Sequence, residues 1–290
     1  MEMETGKKMR RKIVSLMDLT ALDREKDTSS SVGELVLQGS GSNALQTAVP
    51  AVCVFPEFIQ AAKAKIGNDL GQPDAMRVAT VVNFPSGDSS VADVASEVRH
   101  ALELGADEID LVICYKEYLS TGGSPKSCEL VRVAKGVLEQ HQTETGRSAL
   151  LKVILETGEL SNPDLIAKAS LDAFSNGADF IKTSTGKTKV GATLEAAQTM
   201  LRVILDLRSR DGDKVVQRGL KVSGGVRTFD DAMSYIKLAE QMLPSEFLHP
   251  RTFRFGVSGL LANLLKDEVA GSSGSVDTAG GVCEALGGAY

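Results

Sequence analysis

Four charged side chains sit inside runs that are otherwise apolar: Asp110 in Glu-Ile-Asp-Leu-Val, Lys152 in Leu-Leu-Lys-Val-Ile, Lys182 after Phe180-Ile181, and Lys221 in Gly-Leu-Lys-Val-Ser. An amine in apolar surroundings loses hydration, which disfavours its charged form and frees a nucleophile. Lys182 follows the turn Asn176-Gly177 and precedes a short polar turn that ends in Gly186-Lys187. Taken alone, it is equally well explained as a strand-end lysine whose ammonium snorkels to water. Its company tips the balance. Burying several charges without a purpose is costly, and two lysines close together disfavour each other's protonation. A neighbouring carboxylate can then move a proton directly or through a water. The chemistry that asks for this set is Schiff-base formation with a carbonyl substrate.

The elements that must position these groups are legible as an alternation. Short β-rich runs at 13–19, 51–55, 77–83, 108–113, 150–156, 179–184, 219–223 and 252–256 are separated by helical patterns. Those patterns cover a stretch near 31–38, then 56–65, 91–104, a run ending near 140, 163–177, 194–208, 229–242 and 260–269. Eight strand–helix units with near-continuous apolar strands predict an α/β fold, a single-domain eight-stranded parallel β/α (TIM) barrel over residues 1–270. A doubly wound open sheet is the alternative. In such a barrel the active site forms at the C-terminal ends of the strands, so Asp110, Lys152, Lys182 and Lys221 come from neighbouring staves. Residues 271–290 are rich in Gly and Ser without a periodic apolar face, and read as a flexible tail.

Composition excludes several classes. The chain has 290 residues and a net charge of −6, with scattered lysines and no basic footprint for nucleic acid. The cysteines Cys53, Cys114, Cys128 and Cys283 form no C-x-x-C pair and have no histidine at zinc spacing. They read as reduced thiols of a cytoplasmic protein, and neither a metal nor another cofactor is expected. No run approaches a membrane span, and no signal-peptide h-region follows the basic start. Ser184-Thr185-Gly186-Lys187-Thr188 imitates the end of a P-loop, but Ile181 stands where the pattern needs its first glycine. Gly39-Ser40-Gly41-Ser42-Asn43-Ala44 imitates a dinucleotide fingerprint without the strand and helix that would give it meaning.

Glycines at Gly186, Gly224-Gly225 and Gly256 to Gly259 follow the sixth, seventh and eighth strands. Backbone N–H groups can approach an anion there, and a phosphate site beyond strands seven and eight recurs in barrels. A phosphorylated substrate is therefore expected. At this point the chain resembles the deoxyribose-phosphate aldolase family. The resemblance runs from about residue 13 to 265, through LMDLT at 16–20, VCVFP at 52–56, ATVVNFP at 79–85, GADEIDLV at 105–112, LKVILETGEL at 151–160, GADFIKTSTGK at 177–187 and GGVRT at 224–228.

That resemblance implies reversible cleavage of 2-deoxy-D-ribose 5-phosphate to D-glyceraldehyde 3-phosphate and acetaldehyde, in deoxyribonucleotide and carbohydrate catabolism. It implies Lys182 as the Schiff-base lysine, Lys221 as the cation that activates it, and Asp110 as the proton shuttle. Asp18, Thr20, Cys53 and Lys152 would line the sugar site. Gly186, Lys187, Gly224, Gly225 and Ser258 would meet the phosphate, with Thr185 and Gly259 beside them. Tyr290, at the end of the tail, would reach the active site. The sequence departs from the family pattern at Val222-Ser223, where a proline and a small residue are usual, and at Ser258-Gly259, where a pair of serines is usual. The connection between Leu22 and Ala51 is a few residues longer. A homodimer is the assembly to expect of such a barrel, although nothing names an interface. Two other readings stay open: a barrel serving mainly as an interaction protein, and a phosphosugar isomerase, which would not require an amine pair.

Overall fold

The computed structural model describes residues 2–70, 76–211 and 218–273. Its strands are β1 (Met17–Ala21), β2 (Ala51–Val54), β3 (Arg77–Val82), β4 (Glu108–Val112), β5 (Leu150–Ile154), β6 (Phe180–Lys182), β7 (Gly219–Ser223) and β8 (Phe253–Val257). They pair in parallel and in sequence order, and β8 closes on β1, giving the expected eight-stranded β/α barrel. The helices are α1 (Glu2–Val14), α2 (Ser29–Gly39), α3 (Ile59–Leu70), α4 (Val91–Glu103), α5 (Tyr115–Thr121), α6 (Pro125–Thr145), α7 (Thr157–Leu160), α8 (Pro163–Ser175), α9 (Leu194–Asp211), α10 (Phe229–Met242) and α11 (Leu260–Ser273). None among the described residues is long and apolar enough to cross a membrane.

Local chemistry fixes these boundaries. Ser90, Ser124, Asn162 and Thr228 each accept a backbone N–H from the first turn of the helix they open, and Pro125 and Pro163 occupy first helical positions where no donor is missed. The apolar faces of the helices pack on strands that are buried along nearly their whole length. Each fully buried Leu, Ile or Phe in that layer contributes about 1.5–3 kcal/mol. Gly219 shows how tightly the interior fills, since a Cβ there would lie 2.3 Å from the Phe180 ring.

Three expectations need correction. The run 13–19 is not one strand: Ile13 and Val14 close α1, and β1 starts only at Met17. Met9, Ile13 and Val14 recur at helical spacing and bury a face of α1 against the barrel. The helix expected to end near 140, α6, runs on to Thr145, and the connection before it holds a short helix of its own, α5, closed by Gly122 in the left-handed region at φ 77°. β6 stops at Lys182, because the Thr183 and Ser184 hydroxyls turn aside to donate to the Ser223 carbonyl at 3.0 and 2.6 Å. The tail 274–290, including Tyr290 and Cys283, lies outside the described residues.

Candidate active site

Strand alternation sends every second side chain into the barrel. Cross-strand register then sets Asp110 beside Lys152, Lys182 beside Lys221, and Lys221 beside Arg254. Only Lys182 is the last residue of its strand; Asp110, Lys152 and Lys221 are mid-strand and lie a layer deeper than the strand ends where the sequence placed them.

The side chains converge on Asp110. One of its oxygens accepts from Lys152 Nζ at 2.9 Å, and the other accepts from Lys182 Nζ and Lys221 Nζ, both at 2.8 Å. Lys221 also meets Asp18 at 2.6 Å, and Lys152 meets Glu108 at 2.5 Å and Asp18 at 3.8 Å. Arg254 ties the far side together, donating to Asp18 and, at 3.1 Å, to Glu108. All seven groups are buried, so the set persists only because each charge meets opposite charges directly.

The electrostatic outcome follows from that competition. Burial alone would raise the Asp110 carboxyl, but the ammoniums of Lys152, Lys182 and Lys221 outweigh it and hold Asp110 well below the usual carboxylate range. Asp18 is likewise lowered against its burial, by Arg254, Lys221 and Lys152. Burial would lower Lys152 and Lys221, yet both are raised: Lys152 by Asp110 and Glu108, Lys221 by Asp110 and Asp18. These two amines are fixed cations.

Above this layer opens a pocket of about 690 Å³. Of the seven charged groups only Lys182 lines it. Thr20, Thr185, Gly186, Lys187, Gly224, Gly225, Ser258 and Gly259 line it too, whereas Asp18, Cys53, Asp110, Lys152 and Lys221 lie beneath. Gly186, Gly224 and Gly225 have φ of 75°, 84° and 92°, a region in which side chains are strained. Beside the charged set, β2 and β3 face an apolar cluster in which Cys53, Ala79 and Val81 pack with Leu22 and Phe55. Burial and the nearby Asp110 push the Cys53 thiol up, which keeps it a poor nucleophile. Its Sγ is 4.0 Å from Asp110 Oδ2. The connection after Leu22 carries α2, whose Ser31, Glu34 and Gln38 line the pocket.

Among the described residues no group of His, Cys, Asp and Glu is arranged to hold a metal ion. The DeoC/LacD family aldolase model matches residues 14–266. The chain belongs to the DeoC/LacD family of aldolases. A deoxyribose-phosphate aldolase of Agrobacterium fabrum (strain C58) is 43% identical to this aldolase over 265 residues, covering 91% of this chain and 93% of its own. A crystal structure from Toxoplasma gondii ME49, provisionally named a deoxyribose-phosphate aldolase, superposes with a TM-score of 0.79 at 22% identity, over 96% of this chain and 98% of that one. A tetrameric deoxyribose phosphate aldolase from Aeropyrum pernix superposes with a TM-score of 0.66 at 20% identity, over 91% and 95% of the two chains.

The sequence reading missed three charged groups of this aldolase. Glu108 and Arg254 complete the buried set, and both carried the signal that singled out Lys221: Arg254 lies between Phe253 and Phe255, and Glu108 is in phase with Asp110. Glu156, read as the end of the fifth strand, sits beyond β5 in the left-handed region at φ 55°, fully buried. The departure at Val222-Ser223 leaves β7 regular through Ser223, so Lys221 keeps its place in the sheet. Gly256 makes room for both, since a Cβ there would lie 2.2 Å from Ser223 Oγ and 3.0 Å from Lys221 Cε.

Proposed function

We propose that this aldolase cleaves 2-deoxy-D-ribose 5-phosphate reversibly to D-glyceraldehyde 3-phosphate and acetaldehyde, through a Schiff base on Lys182. The observation that carries the reading is that Lys182 alone, of the three barrel lysines, opens into the pocket. Attack on a carbonyl requires a neutral amine. Four cations touch three carboxylates in the buried set, and Lys152 and Lys221 each meet at least two of them while Lys182 meets only Asp110. Lys182 is therefore the lysine least tied into the ion pairs, and it is the one that faces the pocket.

The free amine adds to C1 of the open-chain sugar, and loss of water from the carbinolamine leaves an iminium. The C3 hydroxyl gives up its proton, the C2–C3 bond breaks, and its electron pair moves into the enamine with the iminium nitrogen as sink. C3 departs as the aldehyde of glyceraldehyde 3-phosphate. Protonation at C2 and hydrolysis release acetaldehyde and restore the amine. Asp110, hydrogen-bonded to the reacting amine at 2.8 Å, is placed to pass these protons directly or through a water, and Lys221 keeps a positive charge beside it. The turns Gly186-Lys187, Gly224-Gly225 and Ser258-Gly259 on the pocket rim suit the C5 phosphate. The free thiols Cys53, Cys114 and Cys128 support a cytoplasmic setting. An isomerase would not call for this amine set.

Borohydride added with acetaldehyde, followed by peptide mass spectrometry, should leave a reduced ethyl group on Lys182 and none on Lys152 or Lys221. A folded protein that gives no adduct, or gives it elsewhere, overturns the assignment.

A further inference from the structure

The loop after β6 carries Lys182 at its start and the Gly186-Lys187 turn a few residues on. Something must hold these two in fixed relation, and the segment immediately after β5 does so. Leu155 N–H donates to the Lys182 carbonyl at 2.9 Å and Thr157 N–H donates to the Thr183 carbonyl at 2.8 Å, extending strand-like pairing past the ends of both strands. Gly158 packs so closely on the loop that a Cβ there would lie 2.1 Å from the Val190 carbonyl oxygen.

Between these ties sits the Glu156 carboxylate. It accepts from the Thr185 hydroxyl at 2.5 Å, from the Thr185 backbone N–H at 3.3 Å and from the Thr188 hydroxyl at 3.2 Å. The Thr185 hydroxyl in turn accepts from the Lys187 N–H at 3.0 Å, so the carboxylate orients the turn through one intervening group. A buried carboxylate at a left-handed backbone position is unfavourable on both counts, and such an arrangement persists where the surroundings over-determine it. Burial pushes the Glu156 carboxyl up, opposed by the hydrogen bonds from Thr185 and Thr188.

We infer that Glu156 is a positioning residue for the phosphate end of the substrate: it does not touch the reacting atoms, but fixes the Thr185–Thr188 turn at the distance from Lys182 that a five-carbon phosphosugar needs. The inference rests on the proposed Schiff-base reading and deepens it. It assigns substrate selection by length and charge to a residue under the loop instead of on it. Its loss acts on binding of the phosphorylated substrate and spares imine formation with a small aldehyde.

The test compares wild type, Glu156→Gln and the milder Thr188→Val, which removes one of the donors to Glu156 while keeping side-chain shape. The substrates are 2-deoxyribose 5-phosphate, unphosphorylated 2-deoxyribose, and acetaldehyde with borohydride. In Glu156→Gln the KM for the phosphorylated sugar should rise about tenfold or more, while kcat/KM on 2-deoxyribose changes less than about twofold. Thr188→Val should move the same ratio the same way by a smaller factor, and both variants should trap acetaldehyde on Lys182 like wild type. Equal losses on both sugars, an unchanged ratio in both variants, or loss of trapping in the variants alone overturns the inference. If wild type itself fails to trap acetaldehyde on Lys182, the Schiff-base reading falls first.

Discussion

Lys182→Met should remove retro-aldol turnover by at least about 10⁴-fold while the barrel stays folded. Both halves follow from the geometry. Neither of the other buried lysines can take over the covalent step, because Lys152 and Lys221 are fully enclosed and committed to two or three carboxylates each. The fold survives because Asp110 keeps Lys152 at 2.9 Å and Lys221 at 2.8 Å, so no charge is left alone. Methionine retains the apolar stem, which limits the loss of stability to about 1 kcal/mol. Steady-state cleavage assays and thermal melts measure the two effects. Residual activity within a factor of about ten of wild type would mean that Lys182 is not the nucleophile.

Asp110→Asn has the opposite balance, with a large effect on stability as well as on rate. It leaves four buried cations with two carboxylates, Asp18 and Glu108, and Lys182 touches neither of them. Breaking a buried ion pair by removing one partner costs about 3–5 kcal/mol, and loss of a proton shuttle costs about 10²–10⁴ in rate. The pH dependence distinguishes this from a packing defect. In wild type, Asp18 and Asp110 are lowered, so their contribution is present above the unfolded carboxylate value and is lost as pH falls through the folded values. Lys152 and Lys221 are raised, so theirs is present below the unfolded amine value and is lost only as pH rises through the folded values. Wild-type stability from these groups is therefore flat between about pH 5 and about pH 10. In the variant the buried amines lack that support, folding disfavours their protons, and the deficit should shrink as pH rises towards 10. A deficit independent of pH in denaturant titrations would contradict this account.

Much of the fold was legible because each strand is a short apolar run bounded by turn residues, and eight of them alternate with helices. The chemistry was legible for a related reason: a lysine between Leu220 and Val222, or an aspartate between Ile109 and Leu111, violates the pattern that surrounds it. Arg254 violated it equally, but its meaning depends on Asp18 and Glu108, which lie 236 and 146 residues away and meet it only across the closed barrel. Glu156 gave no periodic signal at all, because a single left-handed residue after a strand belongs to neither period. Ile13 and Val14 were assigned to a strand because their apolar run continues into β1, whereas their helical partner Met9 lies among basic residues.

The route of the charge set around the barrel has a kinetic consequence. Asp18 comes from the first strand and Arg254 from the last, with Glu108, Asp110, Lys152 and Lys221 between them. A partly assembled barrel lacking the final strand would hold Asp18 and Glu108 without their guanidinium, so the penalty for burying them falls due before the last pairing relieves it. Half-formed barrels are disfavoured on this account, and closure becomes an all-or-none event that rewards only the complete chain. Arg254→Met should therefore blunt the cooperativity of equilibrium unfolding, seen as a lower denaturant slope or non-coincident probes. A sharp single transition with an unchanged slope would show that closure is enforced elsewhere. On this view the groups that prepare the pocket for chemistry also act as the clasp that certifies a finished barrel.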